Sequence, residues 1–252
     1  MKKINVLVAC EYSGCVRDAF ENYGKQIGVE VNAWSCDILP TESEQTKAAG
    51  KHIQGDVLHL LADYFGEELP FYYFRGDYDL PEKWDILIGH PPCTYLSFAY
   101  TGKKRYDIDR LYKKLEAYKF FLDLWAAPIE HICLENPMGY IHTGLLPYTQ
   151  IIEPYFWGKD FGEDYKKRTC LWLKNLPKLT HSKENNLFEV GKEVEAKRIF
   201  LDNMTKKKRK GNRLVERQSY LKPFASKSER SRFHKGIAAA MAKQWIDYLL
   251  KL

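Results

Sequence analysis

Trp84-Asp85-Ile86-Leu87-Ile88-Gly89-His90-Pro91-Pro92-Cys93-Thr94-Tyr95-Leu96-Ser97 is the stretch on which the reading of the chain turns. Residues 85–88 are a short apolar run stopped by Gly89 and two prolines, the pattern of a buried strand. Proline has no N–H to give a sheet ladder, so the strand ends there and the chain turns. Cys93 therefore stands on a constrained loop just past the carboxyl end of a strand. In open α/β sheets that edge is where ligands bind. Two roles fit the thiol at this point, a nucleophile or a half-buried structural cysteine.

Upstream of this stretch, strand and helix alternate. Residues 3–10 read as a first strand ending in Glu11-Tyr12-Ser13-Gly14, and 15–23 as a helix with Val16, Ala19 and Phe20 on one face. Ser13 is the expected amino-terminal cap and Gly24 the residue after the last turn. Strand, glycine turn and helix together offer free backbone N–H groups to a cofactor. Residues 30–35 form a second strand, followed by Asp37, which is placed either to hold ribose hydroxyls or to cap a helix. Residues 52–57 repeat the pattern with Asp56, and 58–65 follow as a short helix. Residues 67–80, rich in Tyr, Phe, Gly and Asp, read as an irregular connection.

Downstream, Lys103, Lys104 and Arg105 are interleaved with Phe98, Tyr100 and Tyr106 in a loop. That mixture suits a phosphate backbone and a stacked base, and equally a solvated loop. Residues 111–125 read as an amphipathic helix, with Leu111, Leu115, Tyr118, Phe121, Leu122 and Trp125 on a face assigned to the core. A fifth strand over 131–134 ends at Glu135-Asn136-Pro137, which puts a carboxylate on the same sheet edge as Cys93. Capping of the next segment is the other role open to Glu135.

Composition narrows the class. The 252 residues are 45% apolar, enough for a real core, and contain no run of about 18 apolar residues of the kind a membrane span needs. The start of the chain is too short before its first strand to read as a signal peptide. Six cysteines, at 10, 15, 36, 93, 133 and 170, form no CxxC pair. That spacing argues for a reducing cytoplasm and against a structural zinc. The net charge of +6 matters through its position: Lys206, Lys207, Lys208, Arg209, Lys210 and Arg213 crowd one short segment. Such a run is either a solvated loop or a set of phosphate contacts.

A thiol and a carboxyl on neighbouring strand ends point to a definite chemistry. Carbon 5 of cytosine becomes nucleophilic when a thiolate adds to carbon 6 while an acid protonates ring nitrogen 3. It then takes a methyl group from a sulfonium donor. Such a mechanism needs a thiolate and a protonated glutamate side by side.

The stretch Gly89-His90-Pro91-Pro92-Cys93 resembles the Pro-Cys nucleophile motif of DNA cytosine-5 methyltransferases, and Glu135-Asn136-Pro137 resembles that family's Glu-Asn motif. More closely, the chain is similar to small phage-type cytosine methyltransferase-like proteins over most of its length, except about 63–81 and 180–225. Thr94 stands where better-known members carry glutamine. The resemblance implies S-adenosylmethionine as cofactor and duplex DNA with a flipped cytosine as partner. It places Glu11, Ser13 and Gly14 in the cofactor loop, with Asp37 as the ribose-binding acid and Asp56 near the adenine amine. Pro91 joins the cofactor contacts, and 236–244 forms a returning helix that completes the pocket. Arg168 matches the arginine motif beside the target base, to act with Cys93 and Glu135.

The expected architecture is thus α/β, a doubly wound and mostly parallel Rossmann-like methyltransferase sheet. It forms a single domain over 1–252, with 180–225 as a short basic insertion for nucleic-acid recognition. Two other readings stay open. One is the same fold acting on RNA or a nucleotide, or with a modified sulfonium donor. The other is a nucleic-acid-binding protein without catalysis.

Overall fold

A computed structural model of the protein describes residues 2–64, 78–98, 107–163, 167–181 and 232–252. Strand β1 (Lys3–Ala9) lies at the centre. It pairs in parallel with β2 (Glu30–Asp37) on one side and β4 (Ile86–Gly89) on the other. Beyond β2 lies β3 (His52–Gln54), and beyond β4 lies β5 (His131–Pro137), both parallel. Strand β7 (Thr169–Lys174) then runs antiparallel to β5 and also to the edge strand β6 (Gln150–Ile152). The seven strands stand in the order β3-β2-β1-β4-β5-β7-β6. This is a mixed, mostly parallel seven-strand sheet with flanking helices, consistent with the expected Rossmann-like methyltransferase fold. The order reverses between β1 and β4, so their carboxyl ends open the crevice in which such sheets bind ligands.

Both faces of the sheet are covered, which is why its strands are apolar throughout rather than alternating. From β1, Ile4, Val6 and Val8 enter one layer with Val16 and Phe20 of α1 (Cys15–Ile27). The same layer takes Ile237, Met241, Trp245 and Ile246 of the carboxy-terminal helix Lys235–Leu249. Leu7 and Ala9 enter the other layer with Leu60 of α3 (Val57–Tyr64), Phe121 and Leu124 of α4 (Ile108–Ala126), and Trp172. Each large apolar side chain buried in this way contributes on the order of 1.5–3 kcal/mol.

The second short helix, α2 (Glu44–Ala49), follows β2, and α5 (Tyr140–Gly144) follows β5. The carboxy-terminal helix is therefore α6. None of the described helices is long and apolar enough to cross a membrane.

Three local expectations are corrected. Helix α1 continues through Gly24 to Ile27. Gly24 lies inside it because β2 packs against it: a Cβ there would fall 2.5 Å from Val31 Cγ2. The stop is Gly28, left-handed at φ 70°, where glycine carries no steric cost. The cap residue is Gly14 rather than Ser13; Ser13 Oγ accepts the N–H of Cys15, and Glu11 accepts those of Val16 and Arg17. On α4, Phe121 and Leu124 are buried, but Leu111, Leu115 and Leu122 are exposed rather than core.

Candidate active site

The loop after β1 is built around a buried carboxylate. Glu11 accepts the N–H of Val16 at 2.6 Å and that of Arg17 at 3.1 Å, so it occupies the positive end of α1. Burial raises its carboxyl above the ordinary value, against the opposing pull of His90 and of those two N–H groups. Ser13 donates its hydroxyl to Glu11 at 3.4 Å and accepts the Cys15 N–H at 3.3 Å. Gly14 takes φ 70°, and a Cβ on it would lie 2.5 Å from Ser43 Cβ. Glycine is required there on both counts. Arg17, fully buried, donates to the Ala33 carbonyl and pairs with Asp18 and Glu21, fixing the angle of α1 against β2.

Two further acids line the same edge. Asp37 ends β2 and accepts the Leu39 N–H at 2.9 Å, a local turn rather than a helix cap. Burial raises its carboxyl, offset in part by that N–H and by His52. Asp56 accepts the Leu58 N–H at 2.9 Å and starts α3. Between them Cys10 holds φ 57°, and burial together with Asp37 keeps its thiol protonated well above the usual range. Across the reversal point a shallow hollow is lined by Cys10, Glu11, Tyr12, Ser13, His90 and Phe233.

The loop after β4 carries the thiol. Cys93 is exposed, and its carbonyl accepts the N–H groups of Leu96 and Ser97, both at 3.0 Å, so the chain turns tightly behind it. Reduced solvation raises the Cys93 thiol above its ordinary value, and the charge of Glu135 adds to this, while Lys167 works against it. The turn is seated on the segment after β5. Tyr140 donates its N–H to Leu96 O at 2.8 Å, and a Cβ on Gly139 would meet that carbonyl at 2.0 Å. The backbones approach so closely that only glycine fits.

One side chain joins the two strand ends. Asn136, fully buried, donates Nδ2–H to the Pro91 carbonyl at 2.7 Å, fastening the residue after Glu135 to the loop that bears Cys93. Asn136→Ala is expected to cost about 1–3 kcal/mol of stability, because it strands a buried carbonyl and removes packing. Urea unfolding reads that loss directly.

Glu135 itself is held from two sides. Thr169 at the start of β7 donates its hydroxyl to Oε1, and His90 Nδ1 lies 3.3 Å from Oε2. Burial pushes the Glu135 carboxyl up, but the hydrogen bond and charge of His90, the Thr169 hydroxyl and Lys167 outweigh it. The carboxyl ends below its ordinary value. The resting pair is therefore thiol and carboxylate. Moving one proton from Cys93 to Glu135 turns it into thiolate and acid at no change in net charge.

On the returning chain Phe233 lines the hollow and His234 beside it is buried, while Ile237, Ala238, Met241 and Ala242 pack into the core layer. Glu163 accepts the N–H groups of Lys235 and Gly236, at 2.8 and 3.0 Å, and so anchors the start of α6. His234 is buried, and its imidazole is pushed down to about 3 by that burial and by Lys167. Its ordinary value is 6.5. Between these values the unfolded chain binds a proton that the folded chain refuses, so stability falls as pH drops from about 6.5 toward 3. The loss at pH 5 amounts to about 2 kcal/mol. His234→Gln is expected to flatten this part of the stability profile in urea melts taken between pH 7 and pH 4.

Arg168 is exposed at the mouth of β7, with Nε 3.5 Å from Oε1 of the buried Glu153. Pro91 is buried, and its role visible here is the carbonyl given to Asn136. The structure thus gathers Glu11, Ser13, Asp37, Asp56, Pro91, Cys93 and Glu135 on the carboxyl edge of the parallel strands. Lys103, Lys104, Arg105, Lys206, Lys207, Lys208, Arg209, Lys210 and Arg213 lie outside the described residues. Sequence reasoning assigned no role to His90, Thr169, Phe233, His234 or Glu163. His90 alone had a visible signal, since a titratable ring three residues before Cys93 sits inside the deciding stretch.

No family model matches the chain, and no curated protein matches it. Among solved structures it is similar to a candidate DNA modification methyltransferase encoded within an E. coli prophage, at 16% identity and a TM-score of 0.37, over 72% of this chain and 49% of that one. It is also similar to the Dnmt2 methyltransferase of S. pombe, at 17% identity and a TM-score of 0.41, over 73% of this chain and 55% of that one. The chain spans about half the length of these proteins.

Proposed function

We propose that the protein methylates carbon 5 of cytosine in DNA, with S-adenosylmethionine as donor and Cys93 as nucleophile. The observation that carries this reading is the Asn136–Pro91 hydrogen bond, which binds the Glu135 strand end to the Cys93 loop beside the reversal point of the sheet.

The hollow between β1 and β4 fits a donor of this type. Its lining holds a buried carboxylate, Glu11, and Asp37 and Asp56 act electrostatically on Cys10 in the same lining, groups suited to a cation and to hydroxyls. When bound, the donor supplies an electrophilic methyl group and departs as a neutral thioether.

The chain's own residues do the rest. The Cys93 proton passes to Glu135 as Sγ bonds to carbon 6, and Glu135 hands that proton to ring nitrogen 3, so the electron pair of the 5,6 double bond moves to carbon 5. After methylation, the carbon 5 proton passes to solvent, its electron pair restores the 5,6 double bond, and the carbon 6–sulfur bond breaks with the sulfur leaving as thiolate. Ring nitrogen 3 then returns its proton to Glu135. Thr169 keeps the Glu135 carboxyl aimed throughout, and Arg168 stands at the rim with Glu153 behind it. A duplex substrate must present its cytosine out of the stack to reach this edge. The basic residues at 103–105 and 206–213 are proposed to hold the phosphates, which would position the substrate without specifying sequence.

The test is a covalent trap. DNA containing 5-fluorocytosine, incubated with the protein and S-adenosylmethionine, is expected to yield an intact-mass adduct mapping to Cys93, because fluorine blocks the last elimination. No adduct across varied sequences, with donor binding established, would remove this reading in favour of another target or a non-catalytic role.

A further inference from the structure

We propose that His90 is a positioning residue that joins the two halves of the site, its Nδ1–H holding Glu135 and its Nε2 accepting a hydrogen bond from the ammonium end of the methyl donor. The inference deepens the function proposed above and rests on it.

The geometry is specific. The backbone N–H of His90 donates to Ala9 O at 3.0 Å, extending the β1–β4 pairing one residue past β4 and fixing the ring over the reversal point. Nδ1 faces Glu135 Oε2 at 3.3 Å. Since Glu135 rests as a carboxylate, which can only accept, Nδ1 carries the hydrogen. In a neutral imidazole the other nitrogen is then a lone-pair acceptor. That nitrogen, Nε2, is buried and has no hydrogen-bond partner among the described residues. The ring lies against Phe233, with centroids 4.5 Å apart, and both residues line the hollow with Cys10, Glu11 and Ser13.

A buried acceptor without a partner marks a place for a donor group from outside the fold. The group that suits it is a cation. Glu11 and Asp37 both interact electrostatically with His90 from the β1 and β2 ends, and the Glu11 carboxylate sits within the same hollow. A protonated amine satisfies the imidazole nitrogen and that negative field together. S-adenosylmethionine carries such an amine on its amino-acid portion.

The consequence is a link between donor and acid. An amine bound to Nε2 selects the neutral His90 ring with its hydrogen on Nδ1, so the ring stays turned toward Glu135 while the target base arrives. Protonation of Nε2 would abolish the acceptor and place two positive charges face to face. Donor affinity must therefore fall wherever Nε2 takes up a proton. Glu135, Glu11, Asp37 and His234 are the titratable groups that interact with the ring, and Lys167 adds a fixed charge through Glu135. His234 is held neutral down to about 3 and does not contribute between pH 8 and 5.5.

Two substitutions separate the two nitrogens. His90→Asn keeps an amide near Nδ1 and offers nothing at Nε2; His90→Gln does the reverse. Binding is read by calorimetry with S-adenosylhomocysteine, which carries the amine, and 5′-methylthioadenosine, which does not. The expected result for His90→Asn is a loss of about tenfold or more for the first ligand, about one hydrogen bond to a charged group, and none for the second. His90→Gln is expected to bind S-adenosylhomocysteine close to wild type, yet to lose the weakening expected of wild type on acidification. It should also change the pH profile of adduct formation with 5-fluorocytosine DNA, as the Glu135 contact is gone.

Equal losses for both ligands, or matching behaviour of the two variants, would make His90 a packing residue and overturn the proposal. An unchanged pH slope in His90→Gln would assign that slope to Glu11 or Asp37 and also overturn it. Wild-type protein that binds no S-adenosylhomocysteine at all would instead remove the methyltransferase reading on which this one rests. Thermal melts of both variants exclude misfolding as the source of a shared loss.

Discussion

Cys93→Ala is expected to lower methyl transfer to cytosine by at least about 10⁴-fold, the scale seen when a covalent nucleophile is deleted. It should leave S-adenosylhomocysteine binding within about twofold of wild type. Both halves follow from position. The thiol is exposed on the loop after β4 and does not line the hollow at the reversal point. The turn around it is held by its own backbone carbonyl and by the Tyr140–Leu96 contact, neither of which needs the sulfur. Deleting Sγ therefore removes the bond to carbon 6 while the rest of the edge stands. The measurement pairs tritiated-methyl transfer to DNA with calorimetry on the same sample. Loss of ligand binding in the variant would make Cys93 a structural residue, and retention of turnover would exclude a covalent route.

The sequence made some of this edge legible and hid the rest, for reasons that differ residue by residue. Strands β1, β2, β4 and β5 are short apolar runs ended by a change of residue type, and Gly89 with Pro91 and Pro92 marks its boundary unambiguously. Local chemistry of this kind is readable because it acts within a few residues. The cap of α1 is also local, yet it was misassigned. Serine at position 13 fits the usual pattern, but Gly14 takes the cap position in the left-handed region, leaving Ser13 only the Cys15 N–H while Glu11 takes those of Val16 and Arg17.

The antiparallel β7 was not anticipated, because an alternating strand–helix pattern carries no information about a strand that enters from the opposite direction. It matters to the site, since β7 delivers Thr169 to Glu135. Helix α4 shows a second limit. Periodicity identifies an apolar face on it, and Phe121 of that face is buried as expected, while Leu124, outside it, is buried too. Nothing in the spacing says that Leu111, Leu115 and Leu122 face outward among the described residues. His90 was in plain view and had no assigned role because its function depends on two partners, Glu135 and the hollow, that lie 45 residues away and across the sheet.

Glu135→Gln is expected to reduce methyl transfer by about 10²–10⁴-fold, the usual contribution of a general acid, and at the same time to make Cys93 more reactive toward iodoacetamide at neutral pH. The second effect distinguishes this site from a simple list of catalytic residues. In the resting protein the Glu135 carboxyl lies below its ordinary value, so it is charged across the neutral range. That charge is one of the forces that raises the Cys93 thiol. A glutamine keeps the shape and removes the charge, so the thiol is released toward its ordinary value and more thiolate is present at a given pH. The alkylation profile of the variant should accordingly shift to lower pH than that of wild type. A shift the other way would mean that Glu135 does not act on the thiol. In wild type the carboxylate ceases to oppose the thiolate only when it takes up a proton, which it must do to protonate ring nitrogen 3. In the proposed reaction, activation of the nucleophile and arming of the acid are then one event, expected when the base enters. A thiol held protonated until its target arrives is also one protected from adventitious alkylation and oxidation, although it is exposed at the surface.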